Sequence, residues 1–231
     1  MKIEAAALYG QAVPTEASIS AVRKASIERE NLLHGYNGFF VAKRALDWIF
    51  AILVFPTFLV ITAILFLVNP LWNRGPVFFR QVRMGRGGKP FTMWKFRTMT
   101  ENGVSVRAAD APLDTHRITP LGRMLRRTKL DELPNILNIF SGDMSLVGPR
   151  PDAFDHACEY IAGVPHYCKR FTVRPGITGL AQVRGGYADN RRAVARKARY
   201  DTFYIKNSSL RMELYVISLT FVVVFSGFGQ R

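Results

Sequence analysis

The run from Ala45 to Val68 limits what this chain can become more than any other feature. ALDWIFAILVFPTFLVITAILFLV is 24 residues long, and Asp47, near its start, is its only charge. A membrane-embedded helix needs about 20 apolar residues, and a soluble core helix is seldom apolar all round for so long. Pro56 falls near the middle, where the missing N–H and the ring clash with the preceding turn predict a kink. Lys43 and Arg44 precede the run, and Arg74, Arg80, Arg83 and Arg86 follow it. Basic residues at both ends give no crossing direction under the positive-inside bias. Two topologies remain, one kinked span and a re-entrant hairpin bent at Pro56 with both ends on the cytoplasmic face. The hairpin explains the symmetry of the flanks.

The 231 residues carry 32 Lys and Arg against 17 Asp and Glu, a net charge of +15, with 48% hydrophobic content. This is material for one globular domain plus additional elements. The excess charge calls for an anionic partner, which can be nucleic acid, a phosphate-bearing substrate or an anionic membrane surface, and charge alone does not choose. The two cysteines, Cys158 and Cys168, with no signal peptide ahead of them, point to a reducing cytosolic setting and away from a disulfide-stapled fold. Residues 1–38 lack periodicity and read as a mobile polar tail with a short helix around Ile19 to Leu33.

After the apolar run, Val77 to Met84 and Phe91 to Met99 read as two strands joined at Gly85-Arg86-Gly87-Gly88-Lys89-Pro90. The turn is not a phosphate loop: Arg83 stands where the first loop glycine belongs, and Lys89 precedes proline rather than Ser or Thr. The strand period of two puts Lys95 and Arg97 on one face, where two cations could hold a diphosphate, and Trp94 and Phe96 on the other. A solvated strand face is the plain alternative. Leu121, Met124 and Leu125 follow helical spacing, with Arg123, Arg126 and Arg127 on the remaining surface. Arg191 to Tyr204, basic and then aromatic, suits a helix lying on a membrane surface. Leu214 to Phe225 is apolar but short for a span, so it is expected at the interface or in the core.

In a chain this basic, two adjacent acids stand out. Asp131 and Glu132, in Lys129-Leu130-Asp131-Glu132-Leu133-Pro134, are expected at a helix start, where carboxylates are favoured and Pro134 is tolerated. Gly142-Asp143-Met144-Ser145-Leu146-Val147-Gly148-Pro149-Arg150-Pro151 follows closely, and Arg174-Pro175-Gly176-Ile177-Thr178-Gly179 reads as a rigid loop. His156-Ala157-Cys158 and His166-Tyr167-Cys168 repeat a His-x-Cys pattern, but the separations match no usual zinc spacing. No serine has the context of a nucleophile elbow.

Taken in order, these segments resemble the bacterial sugar transferases, the monotopic polyprenyl-phosphate phosphoglycosyl transferases, and within them the small type that initiates exopolysaccharide synthesis, similar to the galactose-1-phosphate transferase of succinoglycan synthesis. The resemblance runs from about Lys43 to Phe225. It rests on Lys43-Arg44 with Asp47, Gly75-Pro76-Val77-Phe78-Phe79-Arg80-Gln81, Lys95-Phe96-Arg97-Thr98-Met99, Arg117-Ile118-Thr119, Leu130-Asp131-Glu132-Leu133-Pro134, the Gly142–Pro151 segment and Val173 to Val183.

The resemblance implies an α+β membrane-associated architecture: a mobile tail over 1–38, a re-entrant helix over 39–72 and a cytoplasmic catalytic domain over 73–231 with a β-hairpin and interfacial amphipathic helices. It implies transfer of a sugar-1-phosphate, galactose or glucose, from a UDP-sugar to undecaprenyl phosphate. Asp131 would attack the β-phosphorus and release UMP, and Glu132 would bind Mg2+ with Asp131 beside it. Lys95, Arg97, Arg126, Arg150, Pro151 and Gln182 are the implied substrate-binding residues. The implied location is the cytoplasmic face of the bacterial inner membrane. Anionic lipids are the expected surroundings, nucleic acid is not an expected partner, and a homodimer is an admissible assembly. Phe55 departs from the serine that related proteins often place before the mid-helix proline. A membrane scaffold or regulator of polysaccharide export is the competing reading, and it would have no need of Asp131-Glu132 beside phosphate-binding cations.

Overall fold

The computed structural model describes residues 37–73, 75–100, 114–185 and 191–226, together with residues 16, 20–22 and 24. The chain is a mixed α and β structure with one long apolar helix and two small sheets. Of the short helix read over 19–33, the described positions 20–22 and 24 are helical. Val22 is buried in the same core as Met84 and Phe154, so this part of the N-terminal region is packed against the domain.

Helix α1 spans Asn37–Trp72 and contains both Pro56 and Pro70. It is long and apolar enough to cross a membrane. Its two faces differ in environment. Ile49, Ile52, Leu53, Leu59, Val60, Ile64 and Leu67 are exposed, whereas Ala51, Phe58 and Leu65 are buried. Phe55 packs edge-on against Phe140, and Phe58 stacks on Phe96 with centroids 6.1 Å apart. Each fully buried aromatic or aliphatic side chain contributes about 1.5–3 kcal/mol, so α1 is held along its length.

Polar contacts fasten both ends. Asp47, the one charge in the apolar run, is buried and accepts from the Ser145 hydroxyl at 2.9 Å and the Leu146 N–H at 2.8 Å. Arg44 donates to the Ile139 and Met144 carbonyls, and Lys43 to Val147 O and Glu213. At the other end Asn69 donates to Gly75 O at 2.6 Å and Asn73 to Arg97 O at 2.9 Å.

The hairpin forms as the alternation requires. β1 (Phe78–Met84) and β2 (Pro90–Phe96) pair antiparallel with Phe79 opposite Lys95, and Arg86–Gly88 makes a single helical turn between them. Helix α2 (Pro120–Thr128) starts at Thr119, whose side chain accepts from Gly122 N at 3.0 Å, with Pro120 in the first turn. Leu121 and Leu125 face the core and Met124 is exposed. A Cβ on Gly122 would lie 2.0 Å from Thr98 O, so glycine lets α2 close on the chain after β2.

Helix α3 (Asn135–Phe140) packs on β2 through buried Asn138, which accepts from Trp94 N–H and donates to Thr92 O at 2.7 Å. Strand β3 (Ser145–Val147) pairs in parallel with β4 (Gly176–Thr178). Added Cβ atoms on Gly148 and Gly176 would meet backbone at 2.6 Å and 2.1 Å, which is why this crossing is glycine-rich.

Helices α4 (Phe154–Gly163), α5 (Leu180–Gly185), α6 (Arg191–Lys206) and α7 (Leu210–Ser226) complete the domain. The helix expected to lie on a membrane surface, α6, buries Val194, Ala198, Asp201 and Tyr204 in the domain and keeps Arg192, Arg196, Arg199 and Phe203 outward. Its apolar face is taken up by the protein's own core. Cys158 and Cys168 form no disulfide and pack beside a core of Met84, Phe154 and Tyr167. Among the described residues no three His, Cys, Asp or Glu side chains gather as a metal-binding group.

Candidate active site

The acidic pair is positioned by a sharp stop. Lys129 adopts the left-handed conformation, φ 59°, and ends α2. Leu130–Glu132 then forms one 3-10 turn, closed by Leu133 N to Leu130 O at 3.1 Å, before Pro134 leads into α3. The sequence reading placed the acids in the first turn of a helix; they occupy the tighter turn just ahead of it. Successive side chains there point in different directions, and the two carboxylates meet different surroundings.

Glu132 is clamped by cations. Its oxygens accept from both terminal nitrogens of Arg150, one at 2.7 Å, and from Lys95 Nζ at 3.2 Å. Although burial opposes its charge, Arg150 and then Lys95 hold Glu132 well below the usual carboxylate range. Asp131 is buried, and its Oδ1 has no hydrogen-bond partner. Burial first, and the adjacent Glu132 second, raise its carboxyl above the ordinary value, opposed by Lys95, Arg150 and Arg126. One carboxylate is neutralised by partners while the other is left with an open oxygen.

Four basic side chains surround the pair. Lys95 comes from β2, and burial lowers it to about 8 despite Glu132. Arg150 comes from the loop after β3, and Glu132 raises it above its ordinary value against the effect of burial. Arg126, from α2, donates through Nε to Thr98 Oγ1 at 2.9 Å. Arg83, from β1, donates to Pro151 O at 3.0 Å and to Gln81, while its Nε is buried without a partner. Burial, with Arg150 nearby, lowers Arg83 to about 10.

The whole segment 38–227 matches the family model described as bacterial sugar transferase. The chain belongs to the bacterial sugar transferase family. It is 41% identical over 219 residues to a UDP-glucose:undecaprenyl-phosphate glucose-1-phosphate transferase of Xanthomonas campestris pv. campestris, an alignment covering 91% of this chain and 42% of that protein. It is 40% identical over 196 residues to the exopolysaccharide production protein PSS of Rhizobium leguminosarum bv. phaseoli, covering 79% and 94%. With the uncharacterized sugar transferase EpsL of Bacillus subtilis (strain 168) it shares 39% over 194 residues, covering 82% and 91%. The chain spans less than half the length of the larger relatives it matches.

Not every candidate residue of this family member lies at the acidic pair. Arg97 is buried and its guanidinium donates to Asn73 O, against the Gly75 backbone. β2 ends at Phe96, so the alternation that pairs Arg97 with Lys95 stops one residue short. Gln182, on α5, donates to Ile177 O at 3.1 Å and leaves Oε1 buried without a partner. Pro151 contributes its carbonyl to Arg83.

The domain also holds Arg150 from behind, through residues the sequence did not single out. Arg170, buried, donates to Arg150 O at 2.6 Å and to Asp152, and lies 3.1 Å from Asp201. Asp152 also accepts from Tyr167 and from Lys197 at 2.6 Å. These partners lie far apart in sequence, and no local pattern marked them as neighbours.

The donor set suits a hard divalent cation. Mg2+ is usually held by one or two carboxylates together with substrate phosphates. Asp131 Oδ1 is open, and a carboxylate such as Glu132 has about four lone-pair sites, enough to keep its cationic partners and still present an oxygen.

Proposed function

We propose that this chain is a phosphoglycosyl transferase that moves a sugar-1-phosphate, galactose or glucose, from a UDP-sugar to undecaprenyl phosphate and so initiates exopolysaccharide synthesis. The observation that carries this reading is the division of labour in the acidic pair, Asp131 buried with a free Oδ1 beside a Glu132 paired with Arg150 and Lys95.

In the proposed first step, an oxygen of ionised Asp131 forms a bond to the β-phosphorus of the UDP-sugar. The bond from that phosphorus to the bridging oxygen breaks, and the electron pair leaves with UMP. In the second step a phosphate oxygen of undecaprenyl phosphate bonds to the same phosphorus and the Asp131 carboxylate departs, giving the undecaprenyl diphosphate sugar. A carboxylate is a competent nucleophile only when ionised. Lys95, Arg126 and Arg150 oppose the raised basicity of Asp131, and they carry the charge a diphosphate requires. Mg2+, held by Glu132 and Asp131 oxygens, would supply Lewis-acid neutralisation of the diphosphate when bound.

The lipid substrate calls for work at the headgroup level. The fastening of α1 at Asp47 and at Asn69 and Asn73, with an exposed apolar face between, supports a monotopic, re-entrant placement on the cytoplasmic face of the bacterial inner membrane. The test is nucleotide release from a panel of UDP-sugars by nanodisc-held protein with Mg2+ and undecaprenyl phosphate, comparing the wild type with Asp131→Ala. UMP formation falling by roughly a thousandfold or more in the variant is expected for loss of a nucleophile. Release of UDP, or full activity in Asp131→Ala, would overturn the mechanism.

A further inference from the structure

Where α1 meets β3 there is a cleft that shares no lining residue with Asp131, Glu132, Lys95, Arg126 or Arg150. It is walled by Phe39 and Phe40 on the apolar side and by Lys43, Arg44, Arg86 and Arg174 on the basic side. Two of these cations are already neutralised: Lys43 pairs with Glu213 at 2.5 Å and Arg44 with Asp47 at 3.6 Å. The other two have no such pairing among the described residues. Arg174 uses only Nε, toward Gly142 O at 2.9 Å, and neither its terminal nitrogens nor the exposed Arg86 guanidinium has a carboxylate partner among the described residues.

Two guanidinium groups with unused donors at one cleft suit an anion with several oxygens, because each guanidinium presents a planar fork that matches phosphate. The apolar wall adds a second requirement. Phe39 and Phe40 meet edge-to-face at 5.1 Å, and Val41, 71% exposed, begins the bare face of α1 immediately beyond them. Trp48 lies beneath Arg44 at 5.8 Å and is itself exposed, the amphipathic pairing found at headgroup level. We propose that this cleft binds the phosphate of an anionic lipid, gripped by Arg174 and Arg86, with the hydrocarbon chain running along the exposed face of α1. The site is separate from the transfer chemistry.

Trp48 supplies the reporter. In detergent-held protein carrying Trp72→Phe and Trp94→Phe, Trp48 emission is followed while dihexanoyl phosphatidic acid, dihexanoyl phosphatidylcholine or inorganic phosphate is titrated in. A saturable shift with phosphatidic acid and none with phosphatidylcholine is the expected result. Arg174→Gln and Arg86→Gln are each expected to raise the half-saturating concentration about tenfold, as loss of one charge-assisted bond implies. Arg86 is exposed and makes no side-chain hydrogen bond or ion pair among the described residues, so its variant keeps the test informative if Arg174→Gln fails to fold. Saturation by inorganic phosphate at the same concentration would support the phosphate site and assign it to a free anion. An equal response to phosphatidylcholine, or titrations unchanged in both variants, would overturn the proposal.

Discussion

The two acids at positions 131 and 132 are chemically similar side chains placed next to each other, and the fold makes them opposites. Arg150 and Lys95 keep Glu132 ionised far below neutral pH, whereas burial raises Asp131. Their titration sets an expectation for activity. A carboxyl raised above its ordinary value loses its nucleophilic form as pH falls through that raised value, so the acidic limb of kcat/KM should lie above the position an ordinary aspartate would give. Lys95, lowered to about 8, loses its charge as pH rises through that value, which sets the alkaline limb. A bell-shaped profile is expected for the free enzyme. Lys95→Arg should abolish the limb near 8, because a guanidinium stays protonated there. An unchanged alkaline limb in that variant would remove Lys95 from the site. The identity of both acids was legible in the sequence. The difference between them was not, because it comes from Lys95 on β2 and Arg150 in the loop after β3, 37 residues before and 18 after Glu132.

Elements hold the site by their mutual docking more than by their intrinsic stability. The Leu130–Glu132 turn is short, and its direction is set by α2 on one side and α3 on the other. Asn138 ties α3 to the edge of β2 with two hydrogen bonds to Trp94 N–H and Thr92 O. Asn138→Leu should leave both backbone groups without partners at about 1–3 kcal/mol each. The expected outcome is a lower thermal midpoint, together with a larger fall in UMP release than the unfolded fraction explains, since Lys95 and Glu132 would lose their register. A midpoint equal to the wild type would show that Asn138 does not carry that contact. The hairpin and α2 were visible in the sequence because their apolar spacing is local. Asn138 was invisible because a lone asparagine in an apolar stretch says nothing about which strand edge it will meet.

At the scale of the whole molecule, α1 is a wall of the domain and, in the proposed function, its membrane anchor. Its polar fastenings at Lys43, Arg44 and Asp47 and at Asn69 and Asn73 tie both ends to one domain. That arrangement is expected to keep both ends on one side of the bilayer. With Cys158 and Cys168 replaced by serine, single cysteines at exposed Gly38 and Pro76 should both react with an impermeant thiol reagent in inverted vesicles and neither in spheroplasts. Reaction of one in each preparation would establish a straight span in place of the monotopic placement.

By itself the sequence determined what is written in local pattern: a 24-residue apolar run too long for an ordinary core helix, a hairpin, basic helices and an acidic pair within motif strings that match a family. The tertiary structure decided what depends on contacts between distant residues. Asp47 became a dock for β3, Arg97 a brace beside Asn73 and Gly75, and Arg170 a support behind Arg150. The physical reason is range. Periodicity and turn chemistry act over a few residues, whereas the burial and pairing that give a charged side chain its role are fixed only when segments far apart in the chain close on one another.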